Sequence, residues 1–484
     1  MSVGPATSSV AASIRSVAHR LSPSVGDAAR MIGEHSDGPF VVAVAGRLKA
    51  GKSTLVNALL GRDVAPTAVG ECTKVVARFI RSSSEHVTVH GRDGSRRQVQ
   101  LANGAVPADV GGGEIDHLDV YLATTALDRV VIVDTPGLAS VVADRSSRTT
   151  EFLDLDPSSR RACAGADAII YLLNDDARAD DVAVLRSFRS VAGDHLGLAC
   201  LAVLNKADQV TGGLDAANKR VASMATELAG FAAGVVAVVA VAGEARRCGL
   251  IANTDLDALT SLADLDAGTR RELCSDLDSF EFGSGLDPVD ANRLLRKIGL
   301  FGISVLLDEL ARCPTDRAGA LAALDRASQL HEVDAHLQRL ERRADAIKAS
   351  RALALLEQLL YAPDADADDR AMVAGMLADL RASRTLDCIE QVTALDAAAA
   401  TPGTLTADEL HELDLLFGDP RNVLPADPEA MHAGAWASAR RWQEIAASPG
   451  SPVRRQAARA ARHAYLAAWE RTDATWATEE CHET

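Results

Sequence analysis

The sequence predicts an α/β fold, in which a domain with a mainly parallel sheet is followed by an all-α bundle. Up to Pro314, short runs of Val, Ile and Leu alternate with helical stretches. Near-continuous apolar runs of this kind are typical of parallel strands covered by helices on both faces. Beyond Pro314 these runs stop, and Ala, Leu, Arg, Glu and Asp recur at helical spacing. We therefore expect the sheet to end and the bundle to begin near Pro314.

The strands are predicted from the apolar runs, which are separated by turn residues and helical stretches. They are Phe40–Ala45, Val75–Ile80, Arg129–Val133, Ala168–Leu173, Leu198–Leu204 and Val235–Val241. After the second run, Val87–His90 and Gln98–Leu101 are predicted to form a hairpin at the edge of the sheet. Ligands of such sheets bind at the carboxyl ends of the strands, so motifs at these ends are the candidates for function.

The helical part is predicted from amphipathic stretches that end at Pro and Gly breakers. The helices expected after Pro314 are Asp316–Leu330, Val333–Tyr361, Arg370–Leu395, Ala407–Leu416, Glu429–Ala447 and Val453–Arg471. Ser9–Leu21 and Gly26–His35, before the first strand, are also predicted to be helical and to pack on the bundle.

Composition and charge narrow the classes of partner. The 484 residues are 48% hydrophobic and 24% charged, as in a soluble globular protein. The net charge of −17 opposes binding to nucleic acid, and to anionic lipid outside a local basic patch. The eight cysteines are scattered without Cys-x-x-Cys spacing, which predicts a reducing cytoplasm and no zinc or disulfide framework. The longest apolar stretch, Leu228–Gly243, falls short of the about 20 residues of a membrane helix.

A phosphate-binding loop follows the first predicted strand. The segment Gly46-Arg-Leu-Lys-Ala-Gly51-Lys52-Ser53 has the spacing G-x-x-x-x-G-K-S between a strand and a helix. Its glycines let the backbone wrap a phosphate, and the loop amides and the helix N-terminus favour an anion. Lys52 can reach the β- and γ-phosphates, and the Ser53 hydroxyl can ligate Mg²⁺. The residues predicted to hold the nucleotide here are Gly46, Lys49, Ala50, Gly51, Lys52, Ser53 and Thr54.

A second motif, Asn205-Lys206-Ala-Asp208, is predicted to select the base. The Asp208 carboxylate can accept hydrogen bonds from both N1–H and the 2-amino group of guanine, whereas adenine offers neither donor. Lys206 is expected to lie along the ribose and the phosphate loop. We therefore predict binding of GTP and GDP through Asn205, Lys206 and Asp208. A contact of the guanine ring with Val241-Ala242-Gly243-Glu244 is a further expectation.

Two more elements are predicted to hold Mg²⁺ and to sense the γ-phosphate. Asp134 opens an Asp-Thr-Pro-Gly motif at a strand end and can hold Mg²⁺ through water, while the Gly137 amide can contact the γ-phosphate. Thr73 can place its hydroxyl on Mg²⁺ and its carbonyl near the attacking water. Thr67 competes for this role, and capping a helix or strand is the alternative for Thr73. The predicted metal ligands are Ser53, Thr73 and Asp134.

These motifs occur in the order of a G domain, the fold of GTPases. The run Gly46-Arg-Leu-Lys-Ala-Gly-Lys-Ser-Thr-Leu-Val-Asn-Ala-Leu-Leu-Gly61, with Ala65-Pro66-Thr67 and Thr73, resembles the bacterial dynamin-like GTPases. Within them it is similar to the actinobacterial isoniazid-inducible (IniC/IniA) type. The resemblance covers the whole G domain up to Leu295-Arg-Lys-Ile-Gly-Leu-Phe-Gly302 and extends more loosely through the helical remainder.

The resemblance implies a dynamin-type G domain at residues 39–312 and a helical neck or bundle at 313–484, with the helices of residues 1–38 packed on the neck. It also implies GTP-driven, face-to-face dimerisation of G domains, or assembly with a second dynamin-like chain. Such proteins often touch a membrane with the tip of a long trunk. The longest predicted helix here, Val333–Tyr361, would span only about 43 Å. A long trunk is therefore not expected.

Hydrolysis needs a substitute for the Gln that signalling GTPases place after this metal motif, because Leu138 follows Gly137 here. The Thr73 main chain and the phosphate loop are the candidates for holding the water, and Arg47 or Lys49 is expected to neutralise charge in cis. The alternative is that both are solvated loop cations. The predicted catalytic residues are Lys52, Thr73, Arg47, Lys49 and Gly137. Turnover is expected to rise with protein concentration, because a partner domain must close over the site.

Two functions are consistent with these features. The first is a cytoplasmic, dynamin-like GTPase that uses Mg²⁺ and remodels or maintains the inner face of the membrane. The second is a GTP-gated scaffold or partner subunit of another dynamin-like protein, with little turnover of its own. The basic stripe Arg455, Arg459 and Arg462 on the last helix suits either contact with anionic lipid or a solvated bundle face.

Overall fold

The computed structural model describes residues 4–65, 75–102, 104–107, 110, 114–136, 162, 165–173, 181–186, 199–228, 231–399, 401 and 403–479. The chain divides into two compact units. The sheet unit contains Val41–Phe188 and Cys200–Leu337, and the helical unit contains Met1–Phe40 and Gln338–Thr484. Within the described ranges, every helix is too short or too polar to cross a bilayer.

Among the described residues, nine strands form one sheet. All of them lie in the sheet unit, except that the first strand begins one residue before it, at Phe40. They are β1 (Phe40–Gly46), β2 (Val76–Arg81), β3 (His86–Gly91), β4 (Arg96–Val99), β5 (Ile115–Leu122), β6 (Val130–Asp134), β7 (Ala168–Leu173), β8 (Cys200–Asn205) and β9 (Gly234–Val238). Their order is β4-β3-β5-β2-β6-β1-β7-β8-β9. The parallel pairs are β1–β7, β7–β8, β8–β9 and β2–β5. The antiparallel pairs are β3–β4, β3–β5 and β2–β6. The predicted α/β fold is confirmed.

Two strand predictions need correction. The run Val235–Val241 was expected to be one strand, but β9 ends at Val238. The reason is that the Ala240 amide donates to the Asn205 side chain at 3.1 Å and a helix begins there. β5 was not predicted, because the polar residues Asp116, His117 and Asp119 interrupt its apolar run.

The described helices are numbered in chain order. They are α1 (Pro5–Val17), α2 (Pro23–Asp37), α3 (Lys52–Leu60), α4 (Gly213–Glu227), α5 (Ala240–Arg247), α6 (Asn253–Ala263), α7 (Ala267–Leu273), α8 (Leu277–Gly283), α9 (Pro288–Arg312), α10 (Arg317–Ser328), α11 (Leu330–Arg342), α12 (Ala344–Leu359), α13 (Ala367–Ala382), α14 (Asp387–Ala399), α15 (Ala407–Gly418), α16 (Pro428–Ala447) and α17 (Pro452–Glu479). Residues 181–186 are also helical.

Two of the long helices predicted for the bundle are each divided in two. The stretch Val333–Tyr361 is broken at Arg343, whose φ of −99° and ψ of 3° separate α11 from α12. The stretch Arg370–Leu395 is broken between α13 and α14, where the Ser383 hydroxyl accepts a hydrogen bond from the Thr385 amide at 3.3 Å. The expectation of one helix about 43 Å long was therefore wrong.

The N-terminal helices pack inside the helical unit. α1 and α2 share a buried apolar core with α12 and α13. The Asp345 carboxylate, in the first turn of α12, accepts hydrogen bonds from the Ala6 and Thr7 amides at 3.0 and 2.9 Å. It therefore caps the N-terminus of α1, where the helix amides have no partner of their own.

A second apolar core joins α14, α15, α16 and α17, with Trp442 and Tyr465 at its centre. Both rings reach the Glu412 carboxylate with their polar atoms, Trp442 Nε1 at 3.0 Å and the Tyr465 hydroxyl at 2.5 Å. The alanine face of α17 is buried in this core. The basic stripe on α17 is thus the outer face of a bundle helix, as in the second of the two sequence interpretations.

Arg343 carries a buried charge network at the break between α11 and α12. Its guanidinium donates to Asp396 on α14 at 3.2 Å and to Asp414 on α15. Arg342 also donates to Asp414. The Arg343 side chain is 7% exposed and the two carboxylates 13% and 11%, so each charge depends on its partner for solvation.

Arg343→Met is expected to lower the free energy of unfolding of the helical unit by about 3–5 kcal/mol, because two buried carboxylates lose a cation. Urea unfolding followed by circular dichroism measures the effect. Arg421→Met is the matched control, since the Arg421 side chain is 78% exposed and pairs with Asp419 next to it. It should unfold at the wild-type urea concentration. An Arg343→Met protein as resistant to urea as the control would contradict the role of the network.

Candidate nucleotide-binding site

The phosphate loop connects the end of β1 to the start of α3. Gly51 lies at its second bend with a φ of +87°, and a Cβ there would lie 2.3 Å from the Asn205 side-chain nitrogen. Only glycine fits both the torsion angle and the space. The loop and β8 are therefore in direct contact, and the N-terminus of α3 opens beside them.

The Lys52 ammonium lies within this loop. Lys52 is buried and donates to the Gly46 and Arg47 carbonyl oxygens at 3.3 and 3.1 Å. Its charge adds to the positive end of the α3 dipole, so the loop favours an anion. Lys49, by contrast, is exposed on the outside of the loop, with a φ of +61°.

Ser53 and Asp134 form the candidate metal site. The Ser53 hydroxyl donates to Asp134 Oδ2 at 2.7 Å, which joins the first turn of α3 to the last residue of β6. Asp134 is fully buried, and among the described residues its Oδ1 has no hydrogen-bond partner. Burial raises the pKa of Asp134 to about 6, against the opposing effects of the Ser53 hydrogen bond and the Lys52 charge. A buried carboxylate oxygen without a partner, beside a hydroxyl, fits a hard cation such as Mg²⁺.

The Asn205 carboxamide ties three segments together. It donates from Nδ2 to the Ala50 carbonyl in the phosphate loop at 2.8 Å, and its Oδ1 accepts from the Ala240 amide at the start of α5 at 3.1 Å. Asn205 itself is buried at the end of β8. The loop, β8 and α5 thus meet at one amide group.

A cavity of about 660 Å³ lies next to this amide. Residues of the phosphate loop and of the second motif line it together: Gly51, Thr54, Asn205, Lys206 and Asp208. Burial raises the pKa of Asp208, against the charge of Lys206 and a hydrogen bond from its own backbone amide. A carboxylate that is partly desolvated in this way has most to gain from donors such as N1–H and the 2-amino group of guanine.

Other lining residues of the cavity come from segments that follow the sheet. They are Val239–Val241, Cys274–Leu277, Leu295, Gly299–Phe301 and Ser304. α9 bends at Gly299, whose φ of +72° is not helical, and a Cβ there would lie 3.3 Å from Val241. The sequence pointed to Val241 but not to this helical wall. Glu244, the last residue of the proposed ring contact, instead accepts a hydrogen bond from Asn57 at 2.8 Å.

Arg47 is held by a partner that sequence reasoning missed. Its Nε donates to Asp181 Oδ1 at 3.1 Å, and the Tyr171 hydroxyl donates to the same oxygen at 2.7 Å. Asp181 is buried, whereas the Arg47 side chain stays 24% exposed. No spacing in the sequence relates Asp181 to the loop, because the contact depends on how β7 lies against β1.

The remaining predicted site residues, Thr73 and Gly137, lie outside the described residues, as do Thr67 and Leu138. Their roles stay predictions. The predicted residues that the structure brings together at the cavity, the loop and β6 are Gly46, Arg47, Lys49, Ala50, Gly51, Lys52, Ser53, Thr54, Asp134, Asn205, Lys206 and Asp208.

Comparisons of this chain with known proteins agree on one family. Residues 42–207 match the Dynamin family. The isoniazid-induced protein IniC of Mycobacterium tuberculosis, in strains CDC 1551 / Oshkosh and ATCC 25618 / H37Rv, is 31% identical over 458 residues, which are 89% of this chain and 90% of IniC. A bacterial dynamin-like protein of Nostoc punctiforme is 32% identical over 117 residues, 21% of this chain and 17% of that protein. The solved structure of an oligomerised bacterial dynamin pair covers 96% of this chain and 90% of its own, at 12% identity and a TM-score of 0.34.

Asn205→Asp is expected to weaken nucleotide binding about 5- to 150-fold, because a second acceptor faces the Ala50 carbonyl and a buried hydrogen bond worth about 1–3 kcal/mol is lost. Titration with a fluorescent GDP analogue measures the affinity. The matched amide-to-acid control is Gln209→Glu, since Gln209 is exposed at the rim of the same cavity. Equal losses of affinity in both variants would mean that the added negative charge weakens binding, and not the lost hydrogen bond to Ala50.

Proposed function

Because the chain belongs to the bacterial dynamin-like GTPases, we propose that it binds GTP with Mg²⁺ and hydrolyses it. One observation carries the proposal: residues of the phosphate loop line the same cavity as Asn205, Lys206 and Asp208. A triphosphate held by the loop would thus have its base within reach of Asp208. The GTPase activity is a property of the family, and its presence in this chain is the proposal.

The phosphates would be held by Gly46, Lys49, Ala50, Gly51, Lys52, Ser53 and Thr54. Lys52 would supply a charge already directed into the loop, where it donates to two main-chain carbonyls. Mg²⁺ would be held by Ser53 and Asp134, with Thr73 as the further predicted ligand, and would neutralise charge that develops on the phosphates. The unpartnered Oδ1 of Asp134 supports this set, since a metal would satisfy it.

Hydrolysis would use Arg47 in cis, with Lys49, Thr73 and Gly137 as the other candidates. Asp181 holds the Arg47 Nε at 3.1 Å, which fixes the position of the guanidinium beside the loop. A preorganised cation costs little reorganisation when charge develops on the leaving group. We propose that a second G domain closes over the loop and excludes water, in a homodimer or with a second dynamin-like chain.

The helical unit would rearrange when the nucleotide state changes. This rearrangement would remodel or maintain the membrane at its inner face. The second candidate is a GTP-gated scaffold or partner subunit with little turnover or lipid contact of its own. The buried alanine face of α17 favours this second candidate, because a face used inside the bundle is not available to enter a membrane.

Asp208→Asn is expected to weaken GTP binding at least about 30-fold, because the amide cannot accept hydrogen bonds from both guanine donors. Xanthosine triphosphate should bind the variant better than GTP, since xanthine carries a carbonyl where guanine has its 2-amino group. Competition against a fluorescent nucleotide measures both affinities. Asp215→Asn, an exposed residue on α4, is the control. Unchanged GTP affinity of Asp208→Asn would remove Asp208 from base recognition.

GTP turnover per chain is expected to rise with protein concentration, and Arg47→Ala to lower kcat about 100- to 1000-fold, since one preorganised charge is lost. Phosphate release at saturating GTP measures this. Arg81→Ala is the control, because Arg81 pairs with the exposed Asp128 instead of the loop. Lys52→Ala should abolish binding. Turnover that does not depend on protein concentration, and that Arg47→Ala leaves unchanged, would contradict hydrolysis through closure of a second G domain. Nucleotide binding without turnover would support the second candidate, a GTP-gated scaffold.

A further inference from the structure

His90, His117 and Asp119 form a histidine–aspartate cluster on one face of the sheet, in the half that contains β3 and β5. His90 and His117 are directly opposite each other in the antiparallel pair β3–β5, and Asp119 follows His117 two residues later on the same face. One ligand atom of each lies within 4.8 Å of those of the others. The register of the sheet therefore brings together three groups that are used as metal ligands.

The two imidazole rings are stacked side by side. Their planes are nearly parallel, at 10°, with ring centres 4.1 Å apart. His90 Nε2 is hydrogen-bonded to Asp119 Oδ2 at 3.0 Å, a contact that a metal ion would replace, and His117 Nε2 lies 4.0 Å from Asp119 Oδ1. Ligand atoms around a tetrahedral Zn²⁺ at bond lengths near 2.0–2.2 Å are roughly 3.4 Å apart. The observed separations bracket this value.

Asp119 gives the second, independent observation. The residue is 7% exposed, and its Oδ1 is buried without a hydrogen-bond partner. The Arg78 guanidinium on β2 forms an ion pair with this oxygen at 3.5 Å, without a hydrogen bond to it. A buried carboxylate oxygen that accepts no hydrogen bond can still take a water or a metal ion as a closer partner. His117 Nε2 faces the same oxygen, so a cation between them would satisfy both.

The state of the His117 ring is set by its other nitrogen. Its Nδ1 lies 2.9 Å from Asp116 Oδ2. In the neutral ring, this contact places the proton on Nδ1 and leaves the Nε2 lone pair directed at Asp119. A carboxylate that orients a ligating histidine in this way is the usual outer partner in metal sites. Two acceptors, Nε2 and Oδ1, then face one space.

We propose that His90, His117 and Asp119 bind a divalent transition-metal ion that bridges β3 and β5. Two imidazole nitrogens and one carboxylate are the donor set that Zn²⁺ accepts with an open fourth position. Mg²⁺ prefers oxygen ligands, so the nucleotide metal does not compete for this site. The ion links β3 to β5, which lie on the outer side of β2 in the sheet order, and this site is separate from the Ser53–Asp134 site.

Calorimetric titration with ZnCl₂ tests the site. The full chain is used without a polyhistidine tag, after treatment with a chelator, in excess Mg²⁺ and GDP. We expect one tight Zn²⁺ per chain, and binding at least about 10-fold weaker after His90→Asn with His117→Asn. Asp116→Asn should weaken binding about 10- to 100-fold, because it removes the partner that orients His117. Co²⁺ should show the visible absorption of a protein-bound ion with the wild type and not with the double variant.

His86→Asn is the matched control, since His86 is also on β3 and stacks on a ring, that of Tyr121 at 4.4 Å. It should bind Zn²⁺ as the wild type does, and Zn²⁺ should raise the melting temperature of both. Asp119→Asn replaces the double variant if that chain does not fold. The proposal is overturned if no Zn²⁺ binds. It is also overturned if the cluster variants bind it as the control does, since the ion would then lie among others of the twelve histidines and eight cysteines.

Discussion

The candidate site depends on one carboxamide. Asn205 reaches from the end of β8 to the phosphate loop on one side and to the start of α5 on the other, through hydrogen bonds of 2.8 and 3.1 Å. The loop cannot change its distance from the base-binding cavity without breaking a buried hydrogen bond. The same contact explains why β9 ends early and why Gly51 has no room for a side chain. The phosphate loop and the start of α5 are therefore both fixed to β8 by a single residue.

Two buried aspartates in the sheet unit differ in the cation that their neighbours would favour. Asp134 and Asp119 each keep one oxygen without a hydrogen bond in the described structure. Beside Asp134 lies a hydroxyl, which gives an all-oxygen environment suited to Mg²⁺, whereas beside Asp119 lie two imidazoles, which suit a softer ion. The aspartates share burial and position on strands. The groups that surround each of them make the difference.

What the sequence could predict was local. The phosphate loop and the Asn205–Asp208 motif are defined by spacing along the chain, and the residues of both lie where the cavity forms. β5 was missed because the polar His117 and Asp119 interrupt its apolar pattern, although both residues belong to the cluster that β3 and β5 bring together. The pairing of Arg47 with Asp181 and the wall provided by α9 depend on contacts between distant segments. The break at Arg343 was missed for the same reason, because its stabilising partners are Asp396 and Asp414 on other helices.

The bend of α9 at Gly299 determines which residues of this helix line the cavity. Before the bend, Arg293 and Lys297 are held by the buried Asp255 carboxylate on α6 at 3.0 and 3.1 Å. After it, Leu300, Phe301 and Ser304 line the cavity. The shape of the pocket thus follows from a backbone torsion angle as much as from polar side chains. Any ligand of this cavity would therefore meet a wall whose position is set by the main chain, and an inventory of hydrogen-bonding residues would overlook it.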